Sequence, residues 1–510
     1  MKIENNMKNR YKIFQIILVV LLIFGELSCE SYLEEVPQNK LNPTTVTDYR
    51  ELLNYGYITK ERIMPYLEAL GDDVDLKLED RARDAVNGDA YMSAYLFEPT
   101  HETSLGSDVA FAKLYQSIYY ANLVITRIDD AESVILGDDM QGYKDNLKGE
   151  AYALRAFSYF YLVNLYGQHY DPATASSDFG VPINFSTGAE DQGYPRSTVE
   201  EVYNLMASDL DNAVSLMEAN TIEKTSKIQF NAQSAGALQS RVALYMQEWD
   251  KTIEAASNVL DVNNTVNDIT GLTDIFNEDE YSEFFSLRAG PDYLDADNSN
   301  IFFVNGVTEN IPLVNYYPTY TTFSVNTELE DLYDEGDIRK YYFLGILDRV
   351  VSGVAYQKLA TLKNRSTTSF FGRYQPTTFD GYSRVLRVEE VLLNRAEAYA
   401  KNGDLQLAIN DLNAIRVKKI EPSFYTDLAV GSFTQETLID YILEERRREL
   451  CFEGHRFFDL KRTTRPGMTR IGYEGDITVE GILLEDDPRY VLQIPEKELE
   501  ANSAITRAPR

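Results

Sequence analysis

The chain has 510 residues, 44% of them hydrophobic, and carries 81 acidic against 48 basic side chains, a net charge of −33. That length can bury several core units or one large helical array, and that charge excludes the basic surface that nucleic-acid phosphates require of a partner. Three histidines and two cysteines leave little material for a transition-metal site, whereas 36 tyrosines and 24 phenylalanines supply flat apolar faces that suit sugars and peptides alike.

Residues 1–28 read as an export signal. Lys8, Arg10 and Lys12 precede a mostly apolar run from Ile13 to Phe24, too short to span a bilayer as a helix but suited to a signal peptide. Leu27-Ser28-Cys29 then matches a lipoprotein cleavage box, with Glu26 where leucine is usual. Lipidation falls on Cys29, which leaves Cys451 as the one thiol of the mature chain, so no intramolecular disulfide forms. A short helical stretch within 42–75 precedes the acidic run Gly71-Asp72-Asp73-Val74-Asp75.

Two strong helical patterns follow. In 109–128 the stripe is Leu114, Ile118, Ala121, Ile125 and Ile128; in 147–166 the aromatics fall within a helical period and read as helix–helix packing. Thr198 with Glu201 forms a capping box that opens a helix over 199–217. A faint repeat then appears: the octet at 249–256, led by Trp249, resembles 405–412, led by Leu405. Each octet follows a helix and a short turn, the grammar of tetratricopeptide helical pairs. Trp249, at the repeat's turn, reads as packing.

Residues 263–385 lose the helical rhythm, and Asn, Asp, Gly, Pro and Thr predict loops with short strands. Between Tyr281 and Phe323 lie ten aromatics with no clean period, densest at Asn315-Tyr316-Tyr317-Pro318-Thr319-Tyr320. Aromatics in irregular structure are harder to assign to a core.

Helical patterning returns over 388–418 and leads into Glu444–Arg462. Here Ile439, Leu443, Arg446, Leu450, Glu453, Phe457 and Leu460 recur at steps of four and three, which predicts one continuous helical stripe. Its two charges need partners once buried, because an unpaired buried ion costs several kcal/mol or more. Glu449 for Arg446 and Arg456 for Glu453, each one turn away, are the nearest candidates, with other helices as further sources. His455 beside these acids shows no metal-ligand spacing and no nucleophile pattern. The chain calls for no metal or cofactor.

This run resembles the C-terminal signature of the SusD/RagB family of Bacteroidetes outer-membrane lipoproteins, through Glu445, Arg446, Arg447, Glu449, Leu450, Phe452, Glu453, Gly454, Arg456, Asp459, Leu460 and Arg462. The stretch 147–167 resembles the family's other signature, through Glu150, Ala151, Leu154, Arg155, Ala156, Tyr159, Leu162, Tyr166 and Gly167. The tail resembles its ending, through Gln493-Ile494-Pro495, Glu498 and Asn502, although the usual closing Gln-Asn is absent.

The resemblance implies a mainly α, SusD-like fold: a tetratricopeptide-like helical-pair core over about 42–262 and 386–465, and a loop-rich insert with short strands over about 263–385. The signal occupies 1–28 and a single domain 29–510. It also implies a lipid-anchored protein on the outer face of the outer membrane, the acidic Glu30, Glu34 and Glu35 resembling the family's surface-export tether. Such proteins capture glycans, or peptides in some branches, over a SusC-like TonB-dependent transporter.

The ligand face would combine the Asp-rich turn and following loop with aromatics of the insert. From these regions Asp72, Asp73, Arg81 and Tyr95, with Asn315, Tyr316, Tyr317 and Tyr320, are the expected contacts. Arg446, Glu449, Glu453 and Arg456 are the expected structural ions. Two other readings are a glycan-cleaving enzyme, which needs two positioned carboxyls about 5–10 Å apart, and a helical-repeat scaffold for other proteins. No residue pattern points to such a carboxyl pair, and the insert's aromatics favour binding over a bare scaffold.

Overall fold

The structure is a computed structural model and describes residues 43–57, 63–64, 66–76, 89–98, 109–132, 140–188, 193–222, 229–271, 300–305, 323–351, 354–361, 369–370, 373–374, 382–474 and 477–508. It is mostly helical. The first half holds α1 (Val46–Tyr57), α2 (Asp89–Tyr95), α3 (Ala110–Arg127), α4 (Met140–Tyr166), α5 (Val199–Ala219), α6 (Ala232–Tyr245) and α7 (Trp249–Val262). The strands are short: β1 (Val74–Asp75) pairs with β3 (Ser324–Val325), β2 (Asn300–Asn305) with β8 (Tyr382–Arg387), β4 (Leu344–Val351) with β5 (Val354–Thr361), and β6 (Ser369–Phe370) with β7 (Arg373–Tyr374), all antiparallel. The remaining helices are α8 (Val388–Asn402), α9 (Leu405–Arg416), α10 (Gln435–Leu450) and α11 (Arg456–Arg462), and then come β9 (Met468–Glu474) and β10 (Ile477–Leu483), a hairpin.

Local chemistry sets these elements. Thr198 Oγ1 accepts from the Glu201 amide at 3.1 Å while the Glu201 carboxylate accepts from the Thr198 amide at 2.8 Å, the reciprocal cap that starts α5. Gly403, at φ +89, ends α8 in the left-handed region, and the amides of Gly403 and Asp404 return to the Ala400 and Tyr399 carbonyls. The two octets begin α7 and α9, as the repeat predicts, and α6 packs on α7 as α8 packs on α9. Trp249 is the first residue of α7, half-buried, with the Lys401 ammonium 6.0 Å from its ring.

Helix α4 is buried on nearly every side from Leu147 to Tyr166, so it is the central post of the bundle. Its buried Arg155 is held by Asp209 through two bonds of 2.8 and 2.7 Å and by Asn122 at 2.8 Å. The last carbonyls of α4 sit at the negative end of the helix dipole and draw cations and the tail. Lys461 donates to Asn164 O at 2.6 Å and Gly167 O at 2.7 Å, Arg196 donates to Tyr166 O, and the Leu492 amide donates to Leu165 O at 2.9 Å. Burial pulls the Lys461 ammonium down to about 7. Asn502 then fixes the tail by exchanging two bonds with the Tyr194 main chain, 3.1 and 2.9 Å.

The continuous stripe expected from Ile439 to Leu460 is two helices. Helix α10 stops at Leu450, residues 451–454 turn, and α11 starts at Arg456. Phe452 at φ 59 and Gly454 at φ 80 cannot continue a right-handed helix. The turn is held from outside, because the Gly454 amide donates to Glu68 Oε1 at 2.7 Å.

Candidate ligand-binding site

The Asp-rich turn opens with the one-turn helix Leu67–Leu70 and runs through Gly71 into β1. Val74 pairs with Val325 and Asp75 with Ser324, and the Asn326 amide donates to Asp73 O at 2.9 Å. Behind the turn, Tyr95 at the end of α2 lies 4.9 Å, ring to ring, from Phe323. The Tyr95 hydroxyl donates to Asp75 Oδ1 at 3.1 Å and accepts from the Leu76 amide at 3.2 Å. The two stretches that the sequence separates by more than two hundred residues, 71–97 and the end of 281–323, therefore meet as one seam.

Arginines of the C-terminal run hold this turn. Arg456 donates to both oxygens of Asp72, at 2.5 and 2.7 Å, and Arg447 donates to Asp73 Oδ1 at 2.7 Å. Burial raises both carboxyls, but the Arg456 and Arg447 charges outweigh it at Asp72, which stays below the usual carboxylate range. Asp73 is fully buried; burial and the neighbouring Asp72 charge prevail over Arg447 there and push it up.

These placements revise the reading of individual contacts. Asp73 and Tyr95 are buried and present no surface to a ligand; they shape the seam from below. Asp72 is half-buried and stands at the rim, its carboxylate gripped by Arg456. Arg81, Asn315, Tyr316, Tyr317, Tyr320 and Cys29, the residue expected to be lipidated, lie outside the described residues.

Beneath the seam lies a layer of buried ions. Arg446 does not pair with Glu449. It donates to Asn394 Oδ1 at 2.8 Å and to the two oxygens of Asp459 at 3.3 and 3.4 Å. Glu453 pairs not with Arg456 but with Arg387, at 2.9 Å. Glu449 accepts from Arg387 and Arg339, both at 3.1 Å, and lies 3.5 Å from Lys419. The turn at 451–455 takes Glu453 out of helical register with Arg456, whereas Arg446 and Glu449 share α10 and each turns to partners on other elements.

Arg339, Arg387, Lys419, Asp337 and Glu389 were not identified from the sequence, since none belongs to the stripe. Burial raises the Glu445 carboxyl, yet Arg339 at 2.7 Å and Arg448 at 2.9 Å outweigh it and hold the group at about 2. His455 is buried among Glu390, Asp459, Arg241 and Arg446, and burial pulls it down to about 4. It is an interior group. Among the described residues, no cluster of three or more His, Cys, Asp or Glu side chains is arranged to hold a metal ion.

A helical-pair core that carries a strand-bearing insert, with arginines of a C-terminal turn clamped on an acidic N-terminal turn, defines one class of protein. Residues 352–510 match the model of the SusD family, and residues 31–244 match a model described as starch-binding associating with outer membrane. The chain is 25% identical to SusD-like protein P38 of Formosa agariphila, over 95% of this chain and 99% of that protein. Among solved structures it resembles a SusD superfamily protein from Bacteroides thetaiotaomicron, with TM-score 0.68 and 24% identity over 91% of this chain and 100% of that one. It also resembles a putative sugar binding protein from Bacteroides vulgatus, with TM-score 0.69 and 23% identity over 92% and 99%. The chain belongs to the SusD/RagB family.

Proposed function

We propose that the protein is a lipid-anchored glycan-binding protein on the outer face of the outer membrane, which passes captured oligosaccharide to a SusC-like TonB-dependent transporter. The observation that carries the reading is the seam: β1 paired with β3, and Tyr95 packed on Phe323, place the Asp-rich turn beside the chain that leads out of the aromatic-rich insert. A sugar binds where a ring face meets C–H groups and where carboxylate, amide and guanidinium groups meet hydroxyls. Asp72 and Arg456 at the rim, with Asn315, Tyr316, Tyr317 and Tyr320 of the insert, supply those groups. The family model's starch-binding description and the sugar-binding neighbour support a glycan over a peptide.

The test is retention of the purified mature chain on immobilised polysaccharides, amylopectin first, with peptide-coated matrix in parallel. Retention on a glycan that Tyr316→Ala, Tyr317→Ala or Tyr320→Ala weakens about thirtyfold, the worth of a central stacking ring near 2 kcal/mol, is the expected result. Retention on peptide alone, or full glycan retention by all three folded variants, overturns the ligand or its site. Recovery of a β-barrel transporter with the lipidated protein from detergent-solubilised membranes tests the partner.

A further inference from the structure

Arg470, on β9, is a buried guanidinium whose bonds go to main-chain carbonyls, with one further contact of 3.8 Å to the Met468 sulfur. It donates to Tyr95 O at 3.0 Å, to Leu70 O at 3.4 Å, and to Ala69 O and Gly71 O. Its carbon lies 4.7 Å from the Tyr95 ring centre and 4.4 Å from that of Phe97, so two rings face the cation. Burial lowers its pKa to about 10, which leaves it charged at neutral pH.

The hairpin is shaped to admit this contact. Gly481 pairs with Arg470 across the strands, and a Cβ there would stand 2.7 Å from the Leu96 main chain; at Gly472 it would stand 2.9 Å from the Leu96 side chain. Residues 95–97 therefore press directly on the hairpin's inner face.

These bonds bracket the acidic turn from both ends. The carbonyls of residues 69–71 lead into Asp72, and Tyr95, bound through its carbonyl, closes behind Asp75 and Leu76 with its hydroxyl. We propose that Arg470 is the positioning residue of the ligand face, its forked guanidinium locking the 72–75 turn to the β9–β10 hairpin. The fork matters more than the charge, because planar donors at fixed spacing span successive carbonyls and an ammonium does not. The inference rests on the reading of the seam as the ligand face.

Amide hydrogen exchange on the mature protein tests it without any ligand, so its failure is separate from a failure of glycan retention. In Arg470→Met, exchange at Leu76 and Asn326, whose amides bond to the Tyr95 hydroxyl and to Asp73 O, should quicken about tenfold or more, and in Arg470→Lys by a smaller factor, with α4 and α5 still protected. Leu412→Ala, a core truncation in α9, serves as the control for general destabilisation. Unchanged exchange at the turn in both Arg470 variants, or acceleration spread over α4 and α5 as in the control, overturns the proposal.

Discussion

Arg456 and Asp72 stand 384 residues apart in sequence and meet as a two-pronged ion pair, Nε to Oδ1 at 2.5 Å and Nη2 to Oδ2 at 2.7 Å. The chain's C-terminal turn is thereby bolted to its N-terminal acidic turn. Gly71 lets them close, since a Cβ there would sit 3.3 Å from Arg456 Cγ. The pair is only partly exposed, so solvent weakens but does not erase it. A double-mutant cycle with Arg456→Ala and Asp72→Ala should return a coupling of about 1–3 kcal/mol in urea unfolding. Arg456→Lys should recover little of it, because a lysine cannot supply both prongs. Additive single-mutant losses would show that the bolt carries no energy.

Arg446 is the more deeply buried case. It bridges α10 to Asn394 on α8 and Asp459 on α11. Arg446→Ala leaves the buried Asn394 oxygen without its donor and Asp459 with Arg462 alone, 2.8 Å away, and should cost about 3 kcal/mol. The double change Arg446→Met, Asp459→Leu removes both charges and should cost less than Arg446→Ala. Thermal melts of the three proteins decide this; equal melting of Arg446→Ala and wild type would mean that the network is idle.

What the sequence discloses is what is local. The Thr198–Glu201 cap, the periods within 109–128 and 147–166, and the octets at Trp249 and Leu405 depend on neighbours a few residues away, and helices stand over those signals, although α4 begins earlier than its period, at Met140. Ion partners are not local. Glu453 finds Arg387 66 residues upstream, and Asp73 finds Arg447 374 residues downstream. No period encodes such distances. The break at 451–455 was half-legible: Gly454 is a breaker inside a helical pattern, but Phe452 at φ 59 takes that conformation only because tertiary bonds hold the turn. At the seam, the two contributing stretches could be named from the resemblance. Which of their side chains would be buried could not, because burial of Tyr95 and Asp73 follows from Phe323 and Arg447 arriving from elsewhere.

Anchoring is a separate prediction. The run ending in Leu27-Ser28-Cys29 makes Cys29 the lipidated residue of the proposed function. Cys29→Ala should abolish incorporation of labelled fatty acid and release the protein from the membrane fraction or leave it unprocessed. Unchanged labelling and unchanged sensitivity to protease added to intact cells would refute it.

Acid should loosen the protein in two stages. His455 is held near 4 by burial first, and the Arg241 and Arg446 charges add to the effect against Glu390 and Asp459. An unfolded imidazole takes its proton near 6.5. Between those values the unfolded chain binds more protons than the folded one, so stability falls as pH falls through this window. From pH 7 to pH 5 this one group should remove about 1–2 kcal/mol. The second stage belongs to the carboxylates. Glu445 is held at about 2, and Glu390 and Glu397 are also below the usual range, because guanidinium partners outweigh their burial. Their contribution is complete above the unfolded carboxylate range near 4.5 and is lost as pH drops toward 2. Urea unfolding of wild type and His455→Gln at pH 7 and pH 5 isolates the first stage. The stability advantage of wild type should shrink by about 1–2 kcal/mol at the lower pH. An advantage that stayed constant would mean that the folded histidine takes its proton where the unfolded one does, and an advantage that grew would mean that Glu390 and Asp459, not burial, set its state.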